Sequence, residues 1–260
     1  MTAPLPHDLR GNGPCRVLAL HGWFSDRHAF DGLLPLLPET DFTVAVPDIR
    51  GYGAARAMAG EFTIDEIARD AFDLADSLGW QTFGVVGHSM GGKVAQRMLT
   101  MQPERITKWA GVSPVPACAV PFDAQAAELF ASAATSPDAR RAILDGSTGF
   151  RYHRSWLDRA VDHSLATSSS EAFARYFESW SGDDFHAEFV ESAGSRVPAH
   201  ILVGAHDPSL SAEFMNATLL DWCGSAAQLQ IIADAGHYAL DETPILAATA
   251  IQRFFDESER

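Results

Sequence analysis

The pentapeptide Gly87-His88-Ser89-Met90-Gly91 constrains this chain more than any other stretch. It fits the pattern G-x-S-x-G, follows the apolar run 83–86 and precedes residues 92–98, which read as a helix. A serine at a sharp strand-to-helix turn sits in strained backbone geometry that lifts its Oγ clear of the sheet, and the glycines keep side chains out of its way. Five letters alone carry little weight, since small residues crowd many turns; the predicted strand before and helix after them supply the context. Ser89 is therefore the candidate nucleophile.

The flanking sequence alternates between strand and helix signals. Residues 17–20 read as a buried strand ending at His21 and Gly22, and 43–46 as the next, closing on Pro47 to Gly53, with a helix expected around 30–37. Thr63 with Glu66 three residues on forms a capping box, and Ile64, Ile67, Ala68, Ala71, Phe72, Ala75 and Leu78 keep helical spacing. Further strands are expected at 106–112, 201–203 and 229–232, a helix near 214–222, and a last helix carrying Ala247, Ala248, Ile251, Phe254 and Phe255. This alternation predicts an α/β fold with a mainly parallel central sheet flanked by helices on both faces.

One interval breaks the rhythm. The distance along the chain from Trp109 to Leu202 is more than twice any other between strand centres, too long for a single crossover. The expectation is a core of residues 1–113 and 197–260, with 114–196 inserted as a helical cap over the sheet's carboxyl edge. Its helix-like segments are 123–134, 138–144, 152–166 and 170–180. The aromatics Trp156, Phe173, Tyr176, Phe177, Trp180 and Phe185 read first as the small core that lets four helices pack, with one or two also facing an acyl pocket.

Composition narrows the partners. Hydrophobic residues make up 47% and charged residues 20%, typical of a soluble globular chain. The net charge of −15 disfavours nucleic acid and anionic membranes, both of which need a basic footprint, whereas neutral or cationic small molecules suit it. Cys15, Cys118 and Cys223 are scattered and odd in number, so neither a disulfide framework nor a zinc site is suggested. No apolar run approaches the roughly 18 residues that span a bilayer. Residues 1–8 lack the basic and apolar regions of a secretory leader, so a cytoplasmic location is expected. Oligomeric state is not legible.

A serine hydroxyl needs a general base, which in turn needs a carboxylate to fix its tautomer. Asp207 follows the strand ending at Val203, in Gly204-Ala205-His206-Asp207-Pro208, and His237 follows the last strand, in Ala235-Gly236-His237-Tyr238. Both lie beyond carboxyl ends of predicted parallel strands, where open α/β sheets carry functional groups. The order is Ser89, Asp207, His237.

With these stretches, His21-Gly22-Trp23, Asp48-Ile49-Arg50-Gly51-Tyr52-Gly53 and Gly87 to Gly92 in hand, the chain resembles an α/β-hydrolase of the lid-bearing kind over nearly all of its length outside the insertion. The resemblance implies that Ser89 attacks, His237 shuttles the proton and Asp207 orients His237. It also implies an oxyanion hole from the backbone N–H groups of Trp23 and Met90. His21 shapes the oxyanion loop and His88 is the usual elbow neighbour, so neither is expected as base; His206 is expected to point elsewhere. His153, His163 and His186 read as solvent-facing or packing residues, and Asp48 and Arg50 as structural. Trp23, His88, Trp156, Trp180 and Tyr238 are the candidate pocket residues.

Dehalogenases and epoxide hydrolases of this fold carry Asp at the nucleophile position, which the serine here argues against. A serine carboxylesterase acting on small to medium esters is expected. The alternatives are cleavage of a C–C bond in a ring-cleavage dienoate or of an enol-lactone, a cofactor-free haloperoxidase or perhydrolase reaction, and a ligand receptor that barely turns over. An anionic dienoate wants an arginine in the cleft; Arg140, Arg141, Arg151, Arg154, Arg159 and Arg175 are the candidates, with surface solvation the simpler account. No metal or organic cofactor is implied.

Overall fold

Four apolar runs form the middle of a seven-stranded sheet in a computed structural model that describes residues 4–256. Residues 1–3, part of the segment read against a leader, lie outside the described residues, as do 257–260. The strands are β1 (His7–Gly11), β2 (Cys15–Leu20), β3 (Phe42–Pro47), β4 (Phe83–His88), β5 (Ile106–Val112), β6 (Ala199–Gly204) and β7 (Ala227–Ile232), in spatial order β1-β3-β2-β4-β5-β6-β7. All pairs are parallel except β1 with β3, where Leu9 faces Ala45.

Alternation within the strands sends side chains to two cores. Val17, Val44, Val46, Val86 and Leu202 pack with Phe30, Leu33 and the apolar face of α11 (Pro244–Phe255). On the opposite face Leu18, Leu20, Val85, Trp109 and Ile201 pack with α1 (Ile64–Ser77) and α2 (Met90–Met101). Thr63 caps α1 by accepting from the Glu66 N–H, while the Glu66 carboxylate takes the N–H of Phe62 rather than that of Thr63.

Three expectations need correction. The stretch 30–37 holds no α-helix but two 3-10 turns, Arg27–Phe30 and Leu34–Leu36. Asp31, Gly32 and Pro35 break any longer run. Between β5 and β6 lie five helices, not four: α3 (Ala124–Ser132), α4 (Pro137–Ser147), α5 (Arg154–Thr167), α6 (Ser170–Gly182) and the short α7 (His186–Glu191). The predicted helix near 214–222 is a composite of α8 (Ala212–Met215), a π turn at Asn216–Leu220 and α9 (Asp221–Cys223). One further turn, α10 (Ala239–Glu242), precedes α11. Among the described residues no helix is long and apolar enough to cross a membrane.

Candidate active site

Ser89 joins β4 to α2 with φ +53° and ψ −114°, outside the regions an L-residue favours. Hydrogen bonds hold it there: its N–H donates to Val112 O at 3.0 Å, and its carbonyl accepts from Gly92 N at 2.9 Å and Val115 N at 3.0 Å. Close approach explains the glycines. A Cβ on Gly87 would lie 2.3 Å from Gly91 O, and one on Gly91 would lie 2.3 Å from Leu20 O.

The acid and the imidazole come from the loops after β6 and β7. The backbones of those loops are in close contact: a Cβ on Gly204 would fall 2.1 Å from Gly236 O, and His206 N donates to Ala235 O. Asp207 Oδ2 lies 2.8 Å from His237 Nδ1, while Oδ1 accepts from the N–H groups of Ser209 and Leu210. Burial pushes the Asp207 carboxyl up, but His237 and those two N–H donors outweigh it and hold the group below its ordinary value. His237 Nδ1–H donates to this carboxylate, which leaves Nε2 as the nitrogen able to take a proton. His206 is exposed.

Ser89, Asp207 and His237 line one cavity of about 470 Å³. Trp23, His88, Trp180 and Tyr238 line it too, as do Phe122, Phe130, Ile143 and Phe214, which sequence reasoning did not single out. The aromatic enrichment of the inserted stretch was the available signal; which helix face looks inward depends on docking. Trp156 departs from the expectation. It borders a separate hollow of about 330 Å³ and backs Tyr238, ring centroids 6.3 Å apart.

Met90 is the first residue of α2, so its N–H has no acceptor within the helix. Trp23 is held on three sides: its indole N–H donates to Phe173 O at 2.8 Å, its carbonyl accepts from Tyr52 OH at 2.8 Å, and its ring stacks on Phe173 at 4.1 Å. His21 fixes the preceding residue, with Nδ1 bonded to Gly22 O and Nε2 accepting from Ile49 N–H. Both nitrogens are thereby used, and burial keeps His21 below its ordinary pKa.

Burial pushes the pKa of His88 down to about 3. Its Nε2 donates to His237 O at 3.0 Å. Of the other histidines, His153 caps α5 and His186 stacks on Trp222. His163 pairs with the buried Asp26 at 3.1 Å, which raises the imidazole's pKa. Asp48 accepts from Arg27 N–H and Ala54 N–H, and Arg50 makes two bonds to Asp70.

None of the six candidate arginines lines the Ser89 cavity. Arg141 and Arg154 pair with Asp158, Arg151 with Glu242, Arg175 with a carbonyl, and Arg159 borders the neighbouring hollow. Arg140 contradicts the simple picture of a solvated surface. It is 1% exposed, donates to Ser164, Ser168 and two carbonyls, and lies 3.7 Å over the Phe173 ring.

This geometry has many relatives. A family model described as alpha/beta hydrolase fold matches residues 16–244, and the chain belongs to that family. It is similar to a fluoroacetate dehalogenase from a Burkholderia species, at 32% identity over 111 residues, which cover 41% of this chain and 36% of that one. The chain thus spans about a third of that relative's length. Among solved structures it superposes on a hydrolase from Oleispira antarctica with a TM-score of 0.84 at 19% identity, covering 96% and 94% of the two chains. The enol-lactonase from Burkholderia xenovorans LB400 gives 0.82 at 21% identity, covering 96% and 95%. At such identities the likeness is one of fold.

Proposed function

We propose that the protein is a serine hydrolase that cleaves uncharged carboxylic esters of small to medium size through an acyl-enzyme, beneath a cap formed by residues 114–196. The observation that carries this is the 2.8 Å bond from Asp207 to His237 Nδ1 in the same cavity as Ser89. His237 Nε2 takes the Oγ proton as Ser89 attacks the ester carbonyl. The oxyanion that develops is met by the N–H groups of Trp23 and Met90, each worth about 3 kcal/mol of barrier. Collapse expels the alcohol, which receives the proton from the imidazolium. Water, deprotonated by His237, then releases the acid and restores Ser89.

Bond type follows from the lining. The cavity is walled by Trp23, Phe122, Phe130, Ile143, Trp180 and Phe214, and among the described residues no lysine or arginine contributes to it. An apolar acyl group gains from that wall, while the carboxylate of a ring-cleavage dienoate has no cation to meet there. Lactone opening uses the same steps.

Purified parent and Ser89→Ala proteins, assayed with p-nitrophenyl esters of increasing chain length, test the reading. Sustained turnover by the parent and a loss of about 10⁴-fold or more in the variant are expected. Activity in Ser89→Ala within tenfold of the parent defeats the assignment, and a parent that labels with a fluorophosphonate but never turns over is a receptor.

A further inference from the structure

Glu242 ends α10 with its side chain 1% exposed. Its Oε1 accepts the N–H of Tyr238 at 2.9 Å and its Oε2 the N–H of Gly236 at 2.7 Å, so one carboxylate grips the chain on both sides of His237. Oε2 also accepts from Arg151 Nη1 at 3.0 Å and Tyr152 OH at 2.9 Å, both in the loop between α4 and α5. The same loop reaches further, since Arg151 Nη2 donates to Asp234 O at 2.6 Å. The N–H of His237 itself donates to Ser147 O, at the carboxyl end of α4, at 3.0 Å.

Charge-assisted bonds of this kind are shorter and about twice as strong as neutral ones. Four donors satisfy the buried carboxylate, and one of them is the Arg151 guanidinium. The backbone around His237 is therefore defined from one side by Glu242 and from the other by Ser147 O, and both supports belong to or bind the inserted helices. An imidazole whose backbone shifts by about 1 Å loses the alignment that proton transfer needs, a change worth about 10²-fold in rate.

We propose that Glu242 is a positioning residue for His237, and that Arg151 and Tyr152 bring the α4–α5 loop into the same clamp, so that seating of this loop sets the imidazole against Asp207. Its consequence for turnover rests on the acyl-transfer reading of Ser89 and His237; the clamp itself does not.

The test compares the parent with Glu242→Gln, Arg151→Met and Tyr152→Phe, using two readouts. The first is kcat and KM on a p-nitrophenyl ester, with folded protein verified by near-UV circular dichroism. The second is the downfield proton NMR signal of His237 Nδ1–H in its bond to Asp207, assigned by its absence from Asp207→Asn and recorded without substrate. Glutamine presents an amide N–H₂ to one of two N–H donors and breaks the grip. The expected result for Glu242→Gln is a fall in kcat of about 10²-fold with KM little changed, and a shifted or broadened proton signal. Arg151→Met and Tyr152→Phe show smaller changes of the same kind. A merely structural role lowers the melting temperature and leaves the signal and kcat of the folded fraction untouched; that outcome overturns the proposal. Should Glu242→Gln fail to fold, an unchanged signal in both of the other variants overturns it equally. Full activity in Ser89→Ala sinks the acyl-transfer reading alone, because the proton signal still reports on the clamp.

Discussion

At Asp207, opposing influences on one carboxyl yield a measurable sign. Its pKa is held below the ordinary value, so the folded state is favoured by its ionised form. That contribution is complete above about pH 4, the ordinary carboxylate value, and fades as pH falls through the lower folded value. Thermal unfolding followed from pH 7 to pH 3 should therefore show a smaller acid-side loss in Asp207→Asn than in the parent. The same variant should lose about 10⁴-fold in kcat, because asparagine favours the wrong imidazole tautomer. Equal acid profiles would remove the link between this carboxylate and stability. Ser89, Asp207 and His237 could be read from short motifs because each follows a predicted strand end in a tight, glycine-marked turn. Glu242 could not, since its partners are backbone N–H groups and the side chains of Arg151 and Tyr152, some 90 positions away. The placement of Trp156 beside the neighbouring hollow was hidden for a similar reason: it depends on how α5 is docked.

Elements were legible in proportion to how buried they are. The runs now seen as β2, β4, β5 and β6 are shielded on both faces and announce themselves as apolar, whereas β1 is a polar edge strand, His7-Asp8-Leu9-Arg10-Gly11, with Leu9 half exposed. The short α7 gave no periodic signal over its six residues. How the inserted helices are fastened was equally hidden. Lys93 of α2 is fully buried, and its Nζ donates to Cys118 O, Trp180 O and Asp183 O at 2.6–2.9 Å, bridging α2 to both ends of the stretch α3 to α6. Burial pulls its pKa down to about 8. Lys93→Met leaves three carbonyls without this donor and is expected to destabilise the protein by roughly 3 kcal/mol in urea titrations. A change within about 0.5 kcal/mol would show that the fastening is idle.

Over the whole molecule, a net charge of −15 accompanies a cavity walled largely by apolar side chains. Long-range repulsion of this kind slows the arrival of anions and is screened by salt, with a Debye length of about 10 Å at 0.1 M. For a matched pair of esters, one neutral and one bearing a distal carboxylate, kcat/KM should be salt-independent for the first and rise with salt for the second. Parallel salt profiles would show that the net charge plays no part in substrate choice. Finally, the indole of Trp23 is bolted to the carbonyl of Phe173 in α6, while its main-chain amide is the proposed oxyanion donor. Chimeras that replace residues 114–196 with a foreign segment would thus unseat Trp23, which confines modular exchange to the parts of that stretch that leave α6 in place.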